Sequence, residues 1–233
     1  MPAKGQQTAP DTLTVTNFQG ILRHQLFLSA GSKVVVAFSG GLDSHVLLHI
    51  LSRIATVYPI SLSAIHIDHC LQEESGQWAV HCQQVCDGLD IPLVIRRVDI
   101  IQQRGMSLEA QARDARYAAI ADELPAGGIC MTAQHLDDQS ETVLLQLLRG
   151  AGVHGLAAMP MDKPFNNGKL MRPLLNYSRK ALQQYAEQHG LQWVEDPSNG
   201  DNRFDRNYLR NVVIPLLQKR WPGLNRSLSR SSR

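Results

Sequence analysis

No stretch of the 233 residues approaches the roughly 20 consecutive apolar residues that a membrane-spanning helix needs. Nor does any early run join a basic start to an apolar stretch and a small-residue cleavage site. The expectation is a cytoplasmic chain without a membrane partner. The four cysteines, Cys70, Cys82, Cys86 and Cys130, include no CxxC pair, and the closest spacing is the CxxxC of Cys82 and Cys86 within a helical pattern. Buried or idle thiols are therefore expected, rather than a metal or cluster site. Overall charge is also scarce, at +2, but it is unevenly spread. Residues 201–233 hold eight Lys/Arg against Asp201 and Asp205, so this segment is +6 and the remainder −4. Such asymmetry fits a polyanion partner near this end, or equally a solvated basic helix.

What the chain has is length and apolar content, 43% hydrophobic, enough to bury the core of one α/β domain with an appendage. Residues 34–38, 60–67, 93–98 and 129–133 are short β-branched apolar runs suited to strands buried on both faces. Helical patterns at 44–56, 76–88 and 107–124 lie between them, which argues for right-handed βαβ units and a parallel sheet with helices on both faces. A fourth helix runs from about 137 to 149 and stops at the glycines of RGAGVHG (149–155). The stretch MPMDKPFNNGK (159–169) reads as a loop, a boundary or cover, before LMRPLL and a helix near 178–189. After Pro197, Asn199 and Gly200, a basic helix is expected over 206–220 with Pro215 as kink or boundary, then a Ser/Arg-rich last seven residues. Three segments follow: an N-terminal helix or extension (1–32), the main α/β domain (33–160), and its end with a basic helical appendage (161–233).

The first strand runs directly into Ser39-Gly40-Gly41-Leu42-Asp43-Ser44 and then a helix. A loop at the carboxyl end of a parallel strand faces a helix N-terminus, whose unpaired N–H groups and partial positive charge attract anions. Gly40 and Gly41 admit a phosphate close to the main chain, and the Ser39 and Ser44 hydroxyls add donors. A Walker loop would place a lysine here, and there is none. Charge neutralisation then falls to the helix N-terminus and to Mg²⁺, with Asp43 the nearby oxygen ligand. At about 6% usage per residue type, five such fixed positions arise by chance with a probability on the order of 10⁻⁴. An ordinary βα turn with Asp43 at a helix start is the poorer account.

The polar residues of TAQHLDDQSET (132–142) follow the fourth strand and emerge on the same sheet edge. Asp137 and Glu141 are four apart and Asp138 and Glu141 three apart, so a helix here carries a carboxylate patch on one face. Such like charges suit a bound cation, Mg²⁺ or a substrate ammonium, or simply complement the helix dipole. In LEAQARDARY (108–117), Glu109 and Arg113 fit either a site contact or a surface pair of roughly 0.3–0.5 kcal/mol.

The SGGLDS loop resembles the signature of the N-type ATP pyrophosphatases, the PP-loop superfamily, which adenylate a carbonyl oxygen and expel pyrophosphate. Four further stretches, AIHIDHCLQEES (64–75), LEAQARDARYAAI (108–120), TAQHLDDQSETVLLQLLRGAGVHGLAAM (132–159) and EDPSNGDNRFDRNYLRNVVIPLL (195–217), narrow the resemblance to the tRNA(Ile)-lysidine synthetases. It runs in order from about residue 33 to 221, the catalytic domain of that family, and the family's usual C-terminal domains are expected to be missing. The resemblance implies a Rossmann-like, adenine nucleotide alpha hydrolase-like fold. It also implies ligation of free L-lysine to C2 of the wobble cytidine of a tRNA(Ile) precursor with a CAU anticodon, with ATP going to AMP and pyrophosphate.

By the same resemblance Ser39, Gly40, Gly41, Leu42, Asp43, Ser44 and His66 bind ATP. Asp43, Arg113, His135, Asp138 and Glu141 serve catalysis, and Asp138 and Glu141 take the lysine. Asp43 and Asp137 hold Mg²⁺, while Arg149, Arg206, Asn207 and Arg210 contact tRNA. A tRNA-thiolating enzyme of the same superfamily, or a nucleotide- or tRNA-binding chain without full catalysis, are the alternatives.

Overall fold

The computed structural model describes residues 12–69, 75–98 and 108–232. Their elements run α1 (Val15–His24), β1 (Lys33–Ala37), α2 (Leu42–Ala55), β2 (Ser61–Asp68), α3 (Ser75–Gly88), β3 (Leu93–Arg97), α4 (Leu108–Glu123), β4 (Ile129–Met131) and α5 (Leu136–Leu148). They continue through β5 (Asp162–Phe165), β6 (Gly168–Met171), α6 (Arg179–Gln188), α7 (Asp205–Tyr208), α8 (Ile214–Arg220) and α9 (Leu224–Ser231).

The valines of β1 set the sheet's centre. Alternate side chains leave a strand on opposite faces, so Val34 and Val36 join the larger apolar cluster with α1, α2 and α6, while Val35 joins the smaller one with Ile120 of α4 and Leu124 just after it. Burying both faces of a strand requires helices on both sides, which is the α/β arrangement expected from the alternating pattern. Six strands follow the order β3-β2-β1-β4-β6-β5, and all neighbours are parallel except the antiparallel β5–β6 pair. The order reverses between β1 and β4, which pair Val34 to Ile129 and Val36 to Met131. The loops leaving these two strands therefore open side by side on one sheet edge, where α/β proteins bind ligands. No helix among the described residues is long and apolar enough to cross a membrane.

One expectation is corrected and two segments are defined further. The 159–169 stretch is not a loop: β5 and β6 form a hairpin whose Asn166 takes φ 49°, a left-handed conformation that asparagine tolerates. Pro164 is compatible with it because β5 is the sheet's edge strand, where a missing N–H costs no ladder bond. The basic helix runs as expected from α7 through a π-helical turn over Leu209–Val213 into α8, with Pro215 at the boundary, in the first turn of α8. Proline has no N–H to donate and its ring clashes with the carbonyl four residues back, so the wider turn before it is the relief. The Ser/Arg-rich end forms most of α9, which packs on α5.

Gly168 begins β6 where the main chain of Gly128 lies against it, and a Cβ there would overlap the Gly128 carbonyl oxygen. Gly168→Ala should therefore displace the hairpin and cost about 2 kcal/mol or more, lowering the melting temperature by roughly 4–8 °C in a thermal unfolding scan.

Candidate active site

The loop after β1 is a closed bonding circuit. Gly40 holds φ 82°, and a Cβ on it would stand 3.0 Å from the Cys82 sulfur, so both conformation and space demand glycine. The Ser44 hydroxyl takes the Ser39 N–H at 3.2 Å, meets the Ser39 hydroxyl at 3.0 Å and donates to the Gly41 carbonyl at 3.0 Å. Hydroxyls thus brace the loop as well as line it. A strap from residues 191–196 runs alongside: the Val194 N–H donates to the Gly40 carbonyl at 3.0 Å, and His45 Nδ1 lies 2.7 Å from the Gln192 carbonyl. Leu42 turns into the core, and His66 at the end of β2 is buried with Nδ1 2.9 Å from the Phe38 carbonyl.

The loop after β4 begins α5 with a capping box. His135 Nδ1 accepts the N–H groups of Asp137 and Asp138 at 3.2 and 3.4 Å, and Asp138 Oδ2 accepts the His135 N–H at 3.0 Å. The other ring nitrogen, Nε2, then faces Asp43 Oδ2 and Asp138 Oδ2, each at 3.5 Å. His135 is 1% exposed, so it ties the two loops together from behind rather than standing in the open. Burial favours its neutral form, but the carboxylates of Asp138, Asp43 and Asp137 draw its pKa up to about 9. The cap holds only while Nδ1 is unprotonated, so proton uptake at that nitrogen and helix capping exclude each other.

Asp43 is the hub of charge between the loops. Burial raises its pKa, yet the His135 ring nitrogen facing it and the charges of Arg179 and Arg210 hold the carboxyl below the usual carboxylate range. Its Oδ1 is buried and has no hydrogen-bond partner. Among the described residues no group of three His, Cys, Asp or Glu is placed to hold a metal. One free carboxylate oxygen fits Mg²⁺ nonetheless, because that ion usually takes one or two carboxylates and completes its shell with water and substrate phosphates. Asp137 is otherwise engaged: Oδ2 accepts the Arg179 N–H at 2.9 Å and Oδ1 accepts from Asn225 at 3.0 Å.

The acidic patch on α5 already has its cation. Arg210, from the π-helical turn, donates to both oxygens of Glu141 at 2.6 and 3.0 Å and to Asp138 Oδ1 at 3.1 Å. Glu141 is 0% exposed, and burial outweighs the arginine's pull, leaving its carboxyl above the usual range. Arg206 reaches the Thr142 hydroxyl at 3.0 Å, with Nε 3.6 Å from Glu141 Oε2. Asn207 donates to the carbonyls of Ser198 and Asp201, which staples the Pro197–Gly200 turn. Arg149 ends α5, exposed.

These parts border an open cleft of about 1180 Å³. Its lining includes Ser39, Gly41 and Asp43 from one loop, Asp137 and Asp138 from the other, and Arg206 and Arg210. Arg113 and Arg149 are not in the lining; Arg113 instead stands over the Tyr117 ring at 5.8 Å, and Arg116 borders the cleft. The sequence reading missed Arg116, Arg179, Lys180, Trp78 and Trp193, all of which line it. Arg179 and Lys180 had one usable signal, their place directly after the Ser178 N-cap of α6. Cys82, Cys86 and Cys130 are buried, and burial pushes their pKa values to about 12, 11 and 12. Cys70 and residues 71–74 of the second diagnostic stretch lie outside the described residues.

A sequence model of the PP-loop domain family matches residues 12–217. The tRNA(Ile)-lysidine synthase of Pseudomonas fluorescens (strain Pf0-1) is 52% identical over 198 residues, 84% of this chain and 44% of that protein. That of Pseudomonas aeruginosa is 54% identical over 188 residues, 80% of this chain and 42% of that protein, and that of Methylococcus capsulatus 49% over 205 residues, 88% and 47%. The chain thus spans about half the length of the curated relatives it matches. Among solved structures, the U34-tRNA thiolase NcsA of Methanococcus maripaludis aligns with a TM-score of 0.75 at 19% identity, covering 94% of this chain and 77% of that one. The NH3-dependent NAD synthetase of Campylobacter jejuni aligns at 0.51 and 14%, covering 94% and 91%. Both likenesses concern the fold.

Removing one member of a buried ion pair strands the other. Glu141→Ala should cost roughly 2–3 kcal/mol, less than a fully buried pair because Arg210 stays about a third exposed, and lower the melting temperature by roughly 5–10 °C. Native-state alkylation at pH 8 should leave Cys82, Cys86 and Cys130 unmodified in peptide mass spectra, and guanidinium should expose all three.

Proposed function

The chain belongs to the PP-loop domain family, and we propose that its cleft ligates free lysine to C2 of the wobble cytidine of a CAU-anticodon tRNA(Ile) at the expense of ATP. The observation that carries this reading is the meeting of the glycine loop and the α5 carboxylates in one cleft, in a chain similar along most of its length to tRNA(Ile)-lysidine synthases.

In the first step the C2 oxygen of the base attacks the α-phosphorus of ATP and pyrophosphate leaves. A C2 oxygen is a poor leaving group, and AMP attached to it is a good one. In the second step the lysine ε-nitrogen attacks C2, the C2–O bond breaks and AMP departs. The amine must first give up a proton, since its ordinary pKa is about 10.4.

Gly40, Gly41, Ser39 and Ser44 present main chain and hydroxyls to the phosphates at the start of α2, and the main chain of His66 borders the adenine side. Asp43 Oδ1, the unpartnered buried oxygen, would hold Mg²⁺, which would neutralise charge on the phosphates. Asp138 lines the cleft and receives the substrate ammonium, with Glu141 behind it orienting Arg210. His135 fixes Asp43 and Asp138 relative to each other. Arg113 reaches the phosphates or the adenylated base on entry of substrate, and the exposed Arg149 serves the tRNA backbone, while Arg206 and Arg210 brace the α5 carboxylates and Asn207 the adjoining turn.

Thiolation, which the NcsA likeness brings to mind, would need a reactive sulfur. The three described cysteines are buried with raised pKa values, the opposite of the exposed thiolate such chemistry uses.

Incubation with ATP, Mg²⁺, CAU-anticodon tRNA and labelled lysine should place label in the tRNA and release pyrophosphate. Pyrophosphate without label would favour thiolation, and neither product would overturn the enzymatic reading. Asp43→Ala should abolish pyrophosphate release, whereas Asp138→Asn should raise the lysine KM roughly tenfold or more while single-turnover adenylation persists.

A further inference from the structure

The loop that meets ATP carries no cation, yet a triphosphate brings about four negative charges into a cleft of lowered dielectric. Arg206 and Arg210 line the same cleft, but their guanidinium groups are committed to Thr142, Glu141 and Asp138. Arg179 and Lys180 are not: both are exposed, both line the cleft beside Ser39, Gly41 and Asp43, and among the described residues no carboxylate pairs with either side chain. They occupy the first turn of α6, whose start is capped by Ser178. Arg179 shares the cleft wall with Asp43, and its charge helps hold the Asp43 carboxyl below the usual carboxylate range. The backbone N–H of Arg179 bonds to Asp137 Oδ2, which fixes the root of the side chain, and among the described residues no carboxylate lies within salt-bridge distance of its guanidinium.

We propose that Arg179 and Lys180 are the phosphate-binding cations the loop lacks, gripping the polyphosphate of ATP and the pyrophosphate it releases. This rests on the nucleotide reading of the cleft and adds residues to it that the glycine loop does not supply. Two side chains from α6 close over an anion that α2 cradles from below. Their charge is removed from the loop itself, so the main chain of residues 39–44 can approach the phosphates unobstructed.

Isothermal titration of the whole chain with ATP, AMP and inorganic pyrophosphate, each with Mg²⁺, tests this in Arg179→Ala, Lys180→Ala and the conservative Arg179→Lys. Each alanine variant should lose roughly tenfold in affinity for ATP and pyrophosphate, with a smaller loss for AMP, whose charge is lower. Arg179→Lys should recover most of the loss. Unchanged ATP and pyrophosphate affinity in both alanine variants would overturn the inference. So would weakened tRNA binding with ATP and pyrophosphate binding intact, which would make the pair an RNA-backbone contact. An unsubstituted chain that binds no ATP would remove the nucleotide reading, and the inference with it.

Discussion

Between β1 and β4 the sheet changes direction, and the pairing of Val34 with Ile129, Val35 with Cys130 and Val36 with Met131 is the constraint on which the cleft depends. Both strands are short and buried, and each is held in register by a second parallel neighbour, β2 beside β1 and β6 beside β4. Each strand empties into a loop at the same edge, and each loop starts a helix. Two helix N-termini, α2 and α5, are thereby brought together around Asp43 and His135, although nearly a hundred residues separate the two in sequence.

Charge in this cleft is arranged by pairing rather than by number. The α5 carboxylates would repel one another and suffer from burial, but Arg210 answers Glu141 with two hydrogen bonds and Asp138 with a third. Asp43 is kept ionised by His135, Arg179 and Arg210 in spite of its burial. The cations come from segments late in the chain, α6 and the π-helical turn, whereas the anions come from the two strand-end loops. The basic excess of residues 201–233 is thus partly consumed inside the protein, through Arg206 and Arg210, and not wholly displayed to a polyanion.

The glycine loop, the alternating β and α pattern and the acids opening α5 were legible because each is a local signal. A strand's apolar run, a φ that only glycine takes easily and a helix-start acid all act within a few residues of themselves. The β5–β6 hairpin was misread as a loop because Pro164 and the Asn-Asn-Gly turn dominate its composition, and its strand character depends on β6 adding to β4. Arg113 was named by resemblance, and only the fold shows that Arg116 borders the cleft while Arg113 stands over Tyr117.

By itself the sequence determined that this is an α/β chain with a lysine-free phosphate loop at the end of its first strand, and that an acidic helix follows its fourth. Only the tertiary structure decided which charges meet: that Glu141 is sealed behind Arg210, that Asp137 accepts the first N–H of α6, and that Arg179 and Lys180 line the cleft beside the loop. The reason is physical. Local conformation follows from steric and hydrogen-bonding preferences within a few residues, whereas an ion pair forms between groups 69 apart in sequence only after the sheet has fixed where their backbones lie.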